Sequence, residues 1–255
     1  MEALIVRSFN CSVKLLPSLI VCAIICIGCG GGDDDEVTPS SNNQGNNTPP
    51  PGVQTKTIKD IENNSYKTVE IGDQEWMAEN LKTTKYHDGT DIPNITDNTE
   101  WTKLTTGSYA WYNNDFDVFG STYGALYNGY SISTNKLCPT GWHVPSDAEW
   151  KLLIDFLGGA DVAGSKLKEL GTIAWGNPFS GSTNETGFTA LPGGFRKHND
   201  GKFGGIENYG YWWSSSKDET DTSYALIKYM DYATKKVFSE SLPRAAGFCV
   251  RCVKD

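Results

Sequence analysis

The sequence predicts an α+β domain, and three observations carry that prediction. A content of 38% hydrophobic and 12% aromatic residues with 27 glycines suits short strands and long surface loops better than a helical bundle. Two stretches with helical spacing of apolar residues follow one another, flanked by segments that alternate as strands do. The first of these stretches opens on a capping box, Ser146 followed by Glu149, which marks a helix start. A chain of 255 residues can bury one good core, so a single folded domain is expected over residues 56–255.

The residues before that domain read as targeting and tether. Arg7 and Lys14 precede the apolar run from Leu15 to Ile27. The run is shorter than the roughly 20 residues a membrane-spanning helix needs, and its length suits the core of a signal peptide over residues 1–28. It ends Cys26-Ile-Gly-Cys29, which resembles a lipobox. That resemblance makes Cys29 the acylated first residue of the mature chain and the membrane a partner through its lipid. Gly30-Gly-Gly-Asp-Asp-Asp-Glu36 is similar to the acidic export signal of surface lipoproteins in the Bacteroidota, which implies the outer face of the outer membrane. Residues 37–55, rich in Ser, Asn, Thr, Pro and Gly, cannot build a core, so 29–55 is expected to be a disordered tether.

Folded sequence is expected to start near Ile58. Tyr66 to Ile71 alternates, Gly72-Asp73 offers a tight turn, and Gln74-Glu-Trp-Met77 returns, so the segment predicts a β-hairpin. Residues 84–122 are turn-rich. Within them Asp115-Phe-Asp-Val-Phe-Gly120 begins like a calcium loop, but Phe119 and Leu126 stand where oxygen ligands belong, which leaves a turn. After the capping box, Trp150, Leu153, Ile154 and Leu157 lie on one helix face and Gly158-Gly159 supplies the stop. Asp161 is expected to cap a second helix with Ala163, Leu167 and Leu170 on its apolar face and Gly171 as its end. Lys197 to Asn208 reads as a loop. Tyr224 to Tyr229 and Gly247 to Val253 read as strands.

Several of these stretches carry a resemblance. Cys138-Pro-Thr-Gly-Trp-His-Val-Pro-Ser-Asp-Ala-Glu-Trp150, Ile71 to Leu81, Tyr123 to Asn128, Phe188 to Arg196, Tyr209 to Ser215 and the closing Gly247 to Val253 resemble the Fibrobacter succinogenes major paralogous domain. More distantly they resemble formylglycine-generating enzymes. The resemblance implies a C-type-lectin-like fold for the domain. It also implies how the cysteines pair. Cys11, Cys22 and Cys26 fall in the signal peptide and Cys29 takes lipid, leaving Cys138, Cys249 and Cys252 for one disulfide and one thiol. Both relatives place a cysteine at the final Arg-Cys position, so Cys138 is expected to join Cys252.

The charge pattern narrows the function. A formal net charge of −9 without a basic patch argues against nucleic acid. No nucleophile elbow, P-loop, zinc-protease helix or dinucleotide glycine fingerprint occurs, and no spacing singles out a glycosidase carboxylate pair. His143 beside Trp142 reads as a structural histidine. Cys249 and Cys252 would face opposite ways on a strand, which disfavours a zinc site with Cys138 and His143. The formylglycine-generating activity uses a cysteine pair upstream of the closing strand, and Ser239 to Gly247 contains none. No cofactor or metal is therefore expected. The reading is a non-enzymatic, surface-anchored binding domain for a glycan or a protein, with that enzyme type or a structural envelope role as alternatives. In the fold the resemblance implies, the loop at 197–209 lies outside the core. Its His198, Asn199, Asp200, Phe203, Glu207, Asn208 and Tyr209 are the candidate ligand residues, together with the turn expected after Ser216. The sugar-site pairs Glu-Pro-Asn and Gln-Pro-Asp of calcium-dependent lectins are absent, so any glycan binding would be metal-independent.

Overall fold

The computed structural model describes residues 50–170, 175 and 181–255. The signal peptide, Cys29, the tether up to residue 49 and Gly171 lie outside the described residues. Among the described residues no helix is long and apolar enough to cross a membrane.

Mixed helices and sheets form one α+β domain. The first sheet contains β1 (Thr55–Lys59), β2 (Ser65–Ile71), β3 (Gln74–Met77), β6 (Trp142–His143) and β13 (Val253–Lys254), in the order β1-β2-β3-β13-β6. The second holds β4 (Tyr109–Ala110), β5 (Leu126–Asn128), β7 (Gly193–Arg196), β8 (Phe203–Ile206), β9 (Tyr209–Lys217), β10 (Tyr224–Asp231), β11 (Phe238–Pro243) and β12 (Gly247–Phe248). Its order is β11-β10-β9-β7-β12-β5-β4, with β8 hanging from β7. The expected hairpin is β2–β3, and Gly72 takes the left-handed φ of 61° its turn requires. Folded sequence starts slightly before the expected Ile58: β1 starts at Thr55, and Val53 packs against the core.

The helix Asp147–Phe156 is capped as its sequence predicts. Ser146 accepts from the Glu149 amide while the Glu149 carboxylate accepts from the Ser146 amide at 2.7 Å. Its buried face carries Trp150, Leu153 and Ile154, and Trp150 meets Trp76 at 4.9 Å and Phe188 at 6.0 Å between ring centroids. Three rings of this size remove roughly 150–250 Å² each from water and so dominate this part of the core.

Several expectations need correction. The second helix spans Ala160–Leu167 and its N-cap is Gly159, not Asp161. Gly158 and Gly159 both have φ of 98°, so the chain reverses at these two residues and the helix starts two residues earlier, leaving Asp161 in the first turn, paired with Lys236 at 2.8 Å. The helix ends before Leu170, which is 64% exposed, because Lys168 turns extended and sends its ammonium to the carbonyls of Asp231 and Thr234. The stretch Lys197 to Asn208 is not a plain loop. It forms the β7–β8 hairpin, in which Arg196 pairs with Phe203. The turn expected after Ser216 is displaced, since β9 runs on to Lys217 and the chain reverses at Asp218 to Ser223.

The closing segment departs from a single strand. β12 pairs in the second sheet and β13 in the first, and the residues between them bond to both. The Cys249 carbonyl accepts from Trp213 of β9, whereas the Cys252 carbonyl accepts from Met77 of β3. Cys138 and Cys252 form the expected disulfide, with Cα atoms 6.0 Å apart, and Cys249 is a buried thiol.

Candidate functional site

Alternation along β9 divides its aromatic residues between two faces. Trp212 points into one core, and its indole N–H donates to Asn80 at 2.9 Å. Tyr209, Tyr211 and Trp213 take the other side. Register then lines up Tyr211 of β9, Tyr229 of β10 and Phe238 of β11 directly across three strands. All three rings are half-buried. Tyr211 and Tyr229 stack at 5.1 Å with 20° between their planes, and Tyr229 and Phe238 at 4.7 Å with 13°. Phe248 continues the row on the other side of Tyr211 at 5.1 Å and 21°, and Phe195 meets Tyr211 edge-on at 5.5 Å.

Beside this row lies a cleft of about 200 Å³ lined by Phe195, His198, Tyr211, Glu240, Leu242 and Phe248. Its floor is apolar, and Glu240 and His198 stand exposed at its rim. Burial, reinforced by the Glu240 charge, raises the phenol pKa of both Tyr211 and Tyr229. Both hydroxyls therefore stay protonated and can donate near neutral pH.

The structure divides the sequence-predicted residues. His198 lines the cleft, and Tyr209 stands beside the row on β9, its ring tilted 6.0 Å from that of Tyr211. Asn199 and Asp200 sit at the tip of the β7–β8 hairpin, where Asp200 accepts from the Lys202 amide at 3.1 Å. Glu207, with φ of 64°, and Asn208 form the exposed turn between β8 and β9. Phe203 faces away from the row. It packs on Tyr112 at 5.4 Å and under the Arg196 guanidinium at 4.7 Å, as a core residue does.

Sequence reading missed Tyr211, Tyr229, Phe238, Glu240 and Phe248, because strand register brings them together and no local pattern states it. It also missed two buried guanidinium groups. Arg251 is fully buried and forms none of the ion pairs among the described residues: its Nε donates to Asn80 Oδ1 at 2.7 Å, its Nη atoms reach the carbonyls of Met77, Phe188 and Thr189, and it lies over the Phe188 ring. Burial pulls its pKa down to about 9, still high enough to keep the charge at neutral pH. Thr189 adopts φ of 53°, uncommon for a β-branched residue, with its carbonyl aimed at Arg251 and its amide held by Asn184 at 2.8 Å. Arg196 plays the same part elsewhere. It reaches the carbonyls of Ile95, Thr96, Asp97 and Gly201 and lies 4.3 Å from the Trp101 ring centroid.

His143 is held at both ring nitrogens, by Asp255 at Nδ1 and by Glu149 at Nε2, each at 2.7 Å. Neither nitrogen is left to take a proton from a substrate. Cys138 and Cys252 are joined to each other, so they offer no thiolate to a metal. Among the described residues no group of three or more His, Cys, Asp or Glu side chains could hold a metal ion. A roomier polar hollow of about 520 Å³ includes Glu75, Glu149, Lys254 and Asp255, but these carboxylates are taken up by Lys254 and His143.

A family model described as the Fibrobacter succinogenes major domain matches residues 69–254, from the second strand to the last. The chain belongs to this family. No curated protein and no solved structure matches it. In this Fibrobacter succinogenes major domain, the matched span includes the whole aromatic row, both buried arginines and the disulfide.

Proposed function

We propose that this protein is a lipid-anchored surface lipoprotein whose domain, of C-type-lectin-like fold, is a non-enzymatic recognition module for a protein or a glycan. The observation that supports this is the half-buried row Tyr211, Tyr229 and Phe238 with the adjoining cleft. Half-buried rings beside protonated hydroxyls, an imidazole and a carboxylate combine apolar contact with directional hydrogen bonding, the mixture that recognition surfaces use. A tether from Cys29 that ends short of Val53 would hold that surface clear of the membrane.

Two measurements test the reading. Metabolic lipid labelling should disappear in Cys29→Ser, and persistent labelling would remove the anchor. The unanchored Cys29→Ser chain should bind members of a combined glycan and peptide array, and Tyr229→Ala should abolish that binding while leaving the circular dichroism spectrum unchanged. Binding indifferent to Tyr229→Ala would place the surface elsewhere.

A further inference from the structure

The aromatic row runs out to an open sheet edge. β11 pairs with β10 on one side in unbroken register from Phe238 to Pro243. On its other side, among the described residues, no strand is paired. An unpaired edge offers a ladder of amides and carbonyls to a further strand. Edges are usually blunted by lysine, by a central proline or by a bulge. β11 has no lysine, its one proline is its last residue, and its pairing carries no bulge. On the face it shares with Tyr229 it presents Phe238, Glu240 and Leu242.

Ring geometry says what such a strand would bring. Tyr211 lies between Tyr229 and Phe248, and Tyr229 lies between Tyr211 and Phe238, with every plane within 21° of its neighbour. Both faces of these two rings are thus covered by other rings, which leaves little open face for a sugar to lie on. Phe238, at the edge, is stacked by Tyr229 on its inner side. A residue placed opposite Phe238 on an added strand would come within about 5 Å and extend the row. The same-face position two residues away would lie opposite Glu240, which belongs to none of the ion pairs among the described residues. A like-charged second copy is the poorer occupant, because the chain carries a net charge of −9.

We propose that the β11 edge takes an extended peptide segment as an added strand, with an aromatic residue opposite Phe238 and a Lys or Arg opposite Glu240. The inference rests on the aromatic face being the binding surface and names the ligand class of that surface.

The test uses the full Cys29→Ser chain and a labelled peptide Gly-Ser-Thr-Tyr-Thr-Lys-Thr-Ser-Gly, with fluorescence anisotropy as the readout. Wild type should bind it, and N-methylation at alternate peptide residues should abolish binding by removing the ladder. Replacing the peptide lysine by glutamate should weaken binding roughly threefold to tenfold. Glu240→Lys, an exposed change that leaves the core intact, should invert that preference. Absence of peptide binding, tolerance of N-methylation or an uninverted preference in Glu240→Lys would each overturn the inference. Sedimentation showing a dimer through β11 in place of peptide binding would assign the edge to a second copy and overturn it too. If the peptide fails while glycans bind in a Tyr229-dependent way, the surface stands and the strand does not. If arrays are also indifferent to Tyr229→Ala, both fall.

Discussion

The Nε atom of Arg251 donates to Asn80 Oδ1 at 2.7 Å, closing 171 residues of chain with one buried hydrogen bond. The same oxygen accepts from the Trp212 indole, and the Asn80 amide donates to the Tyr123 carbonyl at 2.8 Å. One small amide thus ties β9, the closing segment and the chain after β3 together. Asn80→Ala leaves two fully buried donors without an acceptor, and each orphan costs about 1–3 kcal/mol. We expect a loss of roughly 3 kcal/mol in urea unfolding. A loss below about 1 kcal/mol would mean that the donors find water or another acceptor.

The Cys138–Cys252 bond spans a sequence separation of 114. In the chain-entropy model, closing a loop of that size stabilises by about 4–5 kcal/mol. The double variant Cys138→Ala, Cys252→Ala should lower the urea midpoint accordingly. Cys249 should behave differently. Burial pushes its thiol up to about 12, so little thiolate exists at pH 8 and reagents are kept out. Iodoacetamide should label the Cys249 peptide only once the domain unfolds, as peptide mass mapping would show; rapid labelling of the native protein would contradict the burial.

The His143 clamp predicts a pH dependence. Partial burial pulls the His143 pKa down, but the hydrogen bonds and charges of Asp255 and Glu149 outweigh it, and the net shift is upward from 6.5. That contribution is fully present below about 6.5 and is lost as pH rises through the raised folded value. Burial pushes Glu149 up, whereas the Ser146 hydrogen bonds and then His143 bring it net below 4.5, so its contribution is lost only as pH falls through that lowered value. The clamp is therefore strongest between about pH 4.5 and 6.5. Because His143 is partly exposed, His143→Gln should cost no more than about 1 kcal/mol near pH 5.5 and less at pH 8.5. A difference that grew toward high pH would reverse the sign of the argument.

What could be read from the sequence was what its neighbours determine. The capping box needs only residues 146 to 149, and the β2–β3 hairpin needs only a turn at Gly72, so both were legible. The helix after Gly159 was misplaced by two residues because two consecutive left-handed glycines let it start early. The β7–β8 hairpin was hidden because Gly204-Gly205 interrupts the alternation that would have marked a strand, while Phe203 turned out to pack against Tyr112 and Arg196. The aromatic row was invisible for a different reason. Tyr211, Tyr229 and Phe238 become neighbours through strand register, and nothing local to any one of them states it.

The segment from Gly247 to Lys254 serves as a seam stitched into both sheets, and this bears on kinetics. Its partners at Met77, Asn80 and Cys138 all lie far upstream, so neither sheet is complete until the last stretch of chain has found strands laid down long before it. Loop-closure entropy must be overcome before such distant pairings give anything back, which makes folding slow for a domain of this size. Removing the seam would leave two half-built sheets instead of a smaller version of the same molecule.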